Sequence, residues 1–180
     1  MHQRSIFSQE YQPAAAVAVA PYEPMGLRSL GFSTSEVAEV ERFAVWRDVY
    51  SAAVDLFPVQ ESASFFARHR TWDLGSMAFQ TVDSDSLRFT SLAGHTCRNP
   101  LDHWVVAVFV AGSCVVEGSG TVVANAMSSP LVVSLAHRFE GRATHSRAHI
   151  LYIPRDTCRD SAHLLDSASL SLLPAGMGGI

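Results

Sequence analysis

The 180-residue chain contains no lysine: all 13 basic residues are arginine, and 17 acidic residues bring the formal net charge to −4. The arginines are scattered, and the one loose grouping, Arg138 to Arg159, is broken by Glu140, Asp156 and Asp160. A nucleic-acid face needs a denser basic stripe, so direct DNA binding by this chain is not expected. Cysteine is scarce as well. Cys97, Cys114 and Cys158 are odd in number and form no CxxC, which argues against a disulfide framework or a zinc ribbon. Three thiols fit a reducing cytoplasm. No apolar run approaches the ~20 residues of a membrane helix. The segment "PAAAVAVAP" (Pro13 to Pro21) is short, alanine-rich and preceded by Glu10, unlike a secretory leader. Charged residues make up 17% and hydrophobic ones 48%, so the whole chain is not disordered. Its length suits one domain with a real core.

What is present falls into four segments. Residues 1–31 carry Pro13, Pro21 and Pro24 without periodicity and read as a tail that adds an edge strand or drapes over the core. Residues 32–57 read as one amphipathic helix of about five turns. Ser33 and Glu36 have capping-box spacing, Val40, Phe43, Trp46, Tyr50 and Val54 share a face, and Pro58 ends the run. From 58 to 160 the period changes to that of strands. The stretches are "SMAFQTV", "LRFTSL", "HWVVAVFVAG", "SCVVEG", "TVVANA", "LVVSL" and "HILYIP", with room for a further strand in "RATHSRA". Gly118-Ser119-Gly120 is a natural hairpin turn. Seven or eight short strands with Gly and Pro punctuation predict a sandwich or barrel. Residues 161–180, with leucines at 164, 165, 170, 172 and 173, read as a short helix or a poorly ordered end.

Three pieces in order carry a family likeness: "FSTSEVAEVERFAVWRD", then "LDHWVVAVFVAGSCVVEGSGTVV" with Gly112 and Gly118, then "LYIPRDTC". From about Phe32 to Asp160 the chain resembles the N-terminal sensor domain of AraC-type transcription regulators. The resemblance implies a mainly β fold with flanking helices, a cupin-like β-barrel (double-stranded β-helix or jelly roll) preceded by one amphipathic helix. It implies a small-molecule effector, no catalysis, no cofactor, and a homodimer formed through helical segments after the barrel. There are departures. Val37-Ala38 stand where Leu-Pro is frequent, Ser129-Pro130 replace Gly-Asp, and an aspartate expected near Ala136-His137 is missing. Such regulators continue into two helix-turn-helix units, and none follows here, so the chain reads as either an isolated sensor domain or a piece truncated before the DNA-binding part.

The candidate residues follow. Phe43, Trp46, Arg47 and Tyr50 read as the contact between helix and barrel; the alternative for Arg47 is an anchor for a ligand carboxylate. Phe89, His95, Arg98 and Trp104 are the candidates for effector binding, as a cavity lined by Phe89, His95 and Trp104 with Thr96 and Arg98 nearby. His145 and His149 share a strand face, which would suit a stand-alone metal-dependent cupin enzyme, but no His-x-His occurs and no metal is expected. No G-x-S-x-G nucleophile elbow occurs. Cys97 and Cys114 read as small core residues.

Overall fold

Side-chain alternation of period two carries most of the chain, interrupted by one short helix. The computed structural model describes residues 26–60, 64–91, 102–125 and 129–173. In chain order the elements are β1 (Ser29–Ser33), α1 (Arg42–Tyr50), β2 (Val54–Pro58), β3 (Ala67–Leu74), β4 (Met77–Ser84), β5 (Leu87–Ser91) and β6 (His103–Ala111). Then come β7 (Cys114–Gly118), β8 (Thr121–Ala124), β9 (Leu131–Ser134), β10 (Glu140–Ala143), β11 (Ser146–Pro154), α2 (Ala162–Ser167) and β12 (Ser171–Leu172). Two antiparallel sheets result. One has the order β1-β3-β4-β11-β6-β9-β12 and the other β2-β5-β10-β7-β8. Their inner faces meet around a shared apolar interior, which is the mainly β architecture with flanking helices expected from the sequence, built as two open sheets.

Strand β6 shows why one run is apolar throughout. Val105, Ala107 and Phe109 point into the interior, while Trp104 on the other face is buried beneath the C-terminal segment. That outer face is covered only in part, with Val106 and Val108 half-buried and Val110 exposed, so the valines there hide the alternation that burial would otherwise write into the strand. The β7–β8 hairpin turns at Ser119 and Gly120, both with positive φ, 51° and 77°. That is the backbone a two-residue turn needs to follow the strand twist, and it suits glycine. The residues before α1 supply the edge strand β1, paired along β3.

The front helix is shorter than its periodicity implied. The 32–57 helix is instead two single 3-10 turns, Thr34–Glu36 and Glu39–Glu41, then α1, then β2. Ser33 does cap, accepting from Ser35 N–H at 3.3 Å, but what it caps is the first 3-10 turn. Val40 lies in the second turn, out of phase with the helix, and is 84% exposed. Val54 keeps helical phase by coincidence. It opens a strand whose backbone bonds to β5 replace those a longer helix would make. Strand β3 escapes sequence reading for the opposite reason. Its inward residues are Ala67, His69 and Thr71, which give no apolar alternation. No helix among the described residues is long and apolar enough to cross a membrane.

Candidate functional site: an apolar cavity inside the barrel

Between the sheets lies a cavity of about 160 Å³. Both sheets contribute to its wall: Val105, Ala107 and Phe109 of β6, Val133 of β9, Val116 of β7 and Phe89 of β5. The helix α1 closes one side with Trp46 and Tyr50, three and four residues apart from their neighbours on one helical face. Trp46 is 1% exposed and sits in an aromatic cluster. Its ring centroid is 5.0 Å from Tyr50, 5.5 Å from His69, 6.2 Å from Phe32 and 6.5 Å from Phe65. Phe43 packs edge-on to Phe65 at 5.0 Å. Three of the four residues read as helix–barrel contacts thus face inward.

Arg47 faces outward. Its Nε and Nη2 donate to the two oxygens of Asp55 at 2.7 and 3.1 Å, and its guanidinium lies 5.8 Å from the Phe57 ring. It is absent from the cavity wall, so the geometry fits the helix-to-β2 brace and not a ligand anchor.

Tyr50 and Tyr152, which line the cavity, tie it to a buried polar network. Tyr50 and Tyr152 hydroxyls both donate to Gln80 Oε1, at 3.0 and 3.3 Å, and Gln80 Nε2 donates to Thr71 Oγ1 at 2.8 Å. His69 Nδ1 lies 3.3 Å from the Tyr50 oxygen. Because the Tyr50 proton points at Gln80, His69 Nδ1 is the donor in that pair. Burial lowers the His69 pKa to about 4, so the ring is neutral. Burial also raises both phenols, and both stay protonated. The network therefore carries no charge. Burial pushes the Cys114 thiol, on the wall, up to about 12, which leaves it unreactive.

The sequence-derived effector residues divide. Phe89 lines the cavity, its ring lying across Gly141. A Cβ at residue 141 would come within 2.6 Å of Phe89 Cε2, so only glycine leaves the ring its place. Trp104 does not line the cavity, contrary to expectation. The period of two turns it to the outer face of the sheet, away from Val105. There Nε1 donates to Asp166 Oδ1 at 2.9 Å, and the Arg155 guanidinium stacks 4.4 Å from the ring centroid. Arg155 also bonds Ser134 Oγ at 2.9 Å, Asp166 Oδ2 at 2.9 Å and the Asp102 carboxylate. His95 and Arg98 lie outside the described residues, as does Cys97. His145 and His149 do not converge. His145 pairs with Asp85 at 3.0 Å and His149 packs on the Phe79 ring at 5.9 Å. Among the described residues no group of three or more His, Cys, Asp or Glu is placed to hold a metal ion.

Sequence reasoning missed Gln80, His69 and Tyr152, buried polar groups on strands whose partners come from elsewhere in the chain. It also missed the role of Arg155, although that residue sits in "LYIPRDTC".

No protein-family model matches the chain, and no curated protein matches it. Among solved structures, the AraC-like transcriptional activator CuxR superposes with a TM-score of 0.76 at 23% identity, over 82% of this chain and 55% of that one. The chain has the fold of the matched part of an AraC-like activator. It spans little more than half that protein's length. Ectoine synthase from P. lautus (TM-score 0.39, 14% identity, 63% of this chain and 82% of that one) and a cupin-2 domain from Rhodospirillum rubrum (0.36, 10%, 64% and 88%) are far more distant. At those scores they decide nothing further. Helix α1, which carries the Trp46-Arg47 pair, forms one wall of the cavity.

Proposed function

We propose that this chain is the effector-binding and dimer-forming domain of an AraC-type transcription regulator, acting in the cytoplasm. The observation that carries the reading is the internal cavity of about 160 Å³, walled in part by Trp46 and Tyr50 of the helix that joins the barrel from outside. The AraC-like fold supports it. An effector that binds one arrangement of helix and barrel better than another shifts their populations, and so changes how an attached DNA-binding part is presented. No reaction is assigned to the chain. Among the described residues the cavity wall holds no His, Asp or Glu to act as acid, base or metal ligand.

A screen of small molecules by thermal unfolding tests the proposal. A ligand of the native state raises the midpoint in a saturable way, by the mass-action law. Intrinsic tryptophan fluorescence, to which Trp46 on the cavity wall contributes, should follow the same curve. A stoichiometric metal retained after purification without chelator would sink the reading in favour of a metal-dependent cupin enzyme.

A further inference from the structure

Two serines stand in the cavity wall at the end away from the tyrosine–glutamine network. Ser84, the last residue of β4, and Ser146, the first of β11, are register partners. Directly opposed residues hold their Cβ atoms about 5 Å apart, so the two hydroxyls flank one spot. Both side chains line the cavity, at 4% and 5% exposure. The surroundings are apolar, with Val82, Leu87, Ala143 and Ala148 among them. Neither hydroxyl meets a hydrogen-bond partner among the described residues, whereas the hydroxyls of Tyr50, Tyr152 and Thr71 at the other end all do. Alanine would fill either position equally well. Among the described residues the fully buried side-chain atoms without a partner are His103 Nδ1 and Ser169 Oγ, so the two serine hydroxyls are not sealed into packing but face the cavity, open to a group that enters it.

We infer that the Ser84 and Ser146 hydroxyls are the polar anchor for a bound effector, holding the hydroxyl or carbonyl end of a small, uncharged and otherwise apolar molecule. The inference rests on the proposed sensor reading and names the chemistry of its ligand. Size follows from the cavity, since apolar cavities of about 150 Å³ hold one benzene ring. Neutrality follows from the described residues of the wall, none of which is an arginine, histidine or carboxylate, so an ionised group entering there would be desolvated without a counter-charge among them. A sugar is excluded on the same ground. Two serines and an already satisfied tyrosine pair cannot serve a ring of hydroxyls. The hydroxyl of serine both donates and accepts, so alcohols and carbonyl compounds are equally suited.

Toluene, benzyl alcohol and benzoate share one apolar body and differ in the end group, and calorimetric titration of the whole chain near neutral pH separates them. The expected order for the unmodified chain is benzyl alcohol about tenfold tighter than toluene, the gain of a hydrogen bond to a buried group, with benzoate not binding. In Ser84→Ala/Ser146→Ala the alcohol falls to the level of toluene while toluene is unchanged. The melting midpoint of that variant, and of each single alanine change, is not lowered. An alcohol preference that survives the double substitution overturns the anchor and leaves the sensor reading standing. Equal binding of toluene and alcohol to the unmodified chain does the same. Benzoate binding as tightly as the alcohol overturns the uncharged class. A large drop in midpoint for the alanine variants would make the hydroxyls structural and overturn the anchor. If neither neutral probe binds, the anchor fails and the cavity loses its place in the sensor reading.

Discussion

Trp46 and Val40 sit six residues apart on what the sequence presents as one stripe, yet one is 1% exposed and the other 84%. Trp46→Ala should cost roughly 3–5 kcal/mol, because it empties the centre of an aromatic cluster. Val40→Ala should stay within about 0.5 kcal/mol. Denaturant titration checks both, and equal losses would refute the placement of the helix face. His69 makes a second prediction. Its folded pKa, about 4, lies below the ordinary value of 6.5, so the unfolded chain takes up a proton at higher pH than the folded one. The stability this neutral ring contributes is present above pH 6.5 and is lost as pH falls toward about 4. Between about pH 7 and pH 5 the expected loss is about 2 kcal/mol. Burial lowers the His103 pKa in the same direction and adds to the slope. His69→Gln should flatten the stability profile over this window, measured by urea unfolding at several pH values; an unchanged slope would contradict the assignment.

The C-terminal segment is an element held from one point. Arg155 ties β11 to Ser134 of β9 and to Asp166 of α2, and stacks on Trp104 of β6. Trp104 binds the same Asp166 carboxylate, which the bond from Arg155 holds below the usual aspartate range. Strand β6 carries this clasp on its outer face and the cavity wall on its inner face, so it links the cavity wall to α2. Arg155→Ala should loosen α2 by removing charge-assisted bonds worth about 1.5–3 kcal/mol each at most. Backbone hydrogen exchange should then quicken at Ala162–Ser167 and not in β3 or β4. Uniform quickening across both sheets would show that Arg155 serves the barrel as a whole.

At the scale of the molecule, net charge and assembly decide what the chain can do alone. With 13 arginines against 17 acidic residues, it has no excess of positive charge to release counterions from a duplex. The purified 180-residue chain should therefore give no sequence-specific gel shift. We also expect a two-fold dimer, the commonest closed symmetry, formed through the C-terminal segment. Leu164 on α2 is 58% exposed, an apolar residue free to meet its symmetry mate. Sedimentation over a concentration series reads the association, and Leu164→Glu should weaken it. A dimer indifferent to that change would place the interface elsewhere on the barrel.

The sequence by itself determined the strands whose apolar residues alternate or run on, from "SMAFQTV" to "HILYIP", because burial on a sheet writes a period of two into the chain. It determined the β7–β8 turn, since Gly and Ser at those positions meet a backbone demand that is local. It also determined that Phe43, Trp46 and Tyr50 turn to the barrel, because 3.6-residue spacing survives in a helix of nine residues. Where the helix stops was decided by pairing: Val54–Pro58 is a strand because β5 offers it bonds. The side of the sheet that Trp104 faces was decided by register, one residue's shift being enough to exchange the cavity for the opposite face beneath the C-terminal segment. The polar groups of the interior belong to tertiary structure alone. Tyr50, Gln80 and Tyr152 meet across 30 and 72 residues of chain, and Ser84 meets Ser146 only when β4 and β11 pair. No local pattern marks such a residue, because what distinguishes it is the partner that folding brings, or the place left open for one.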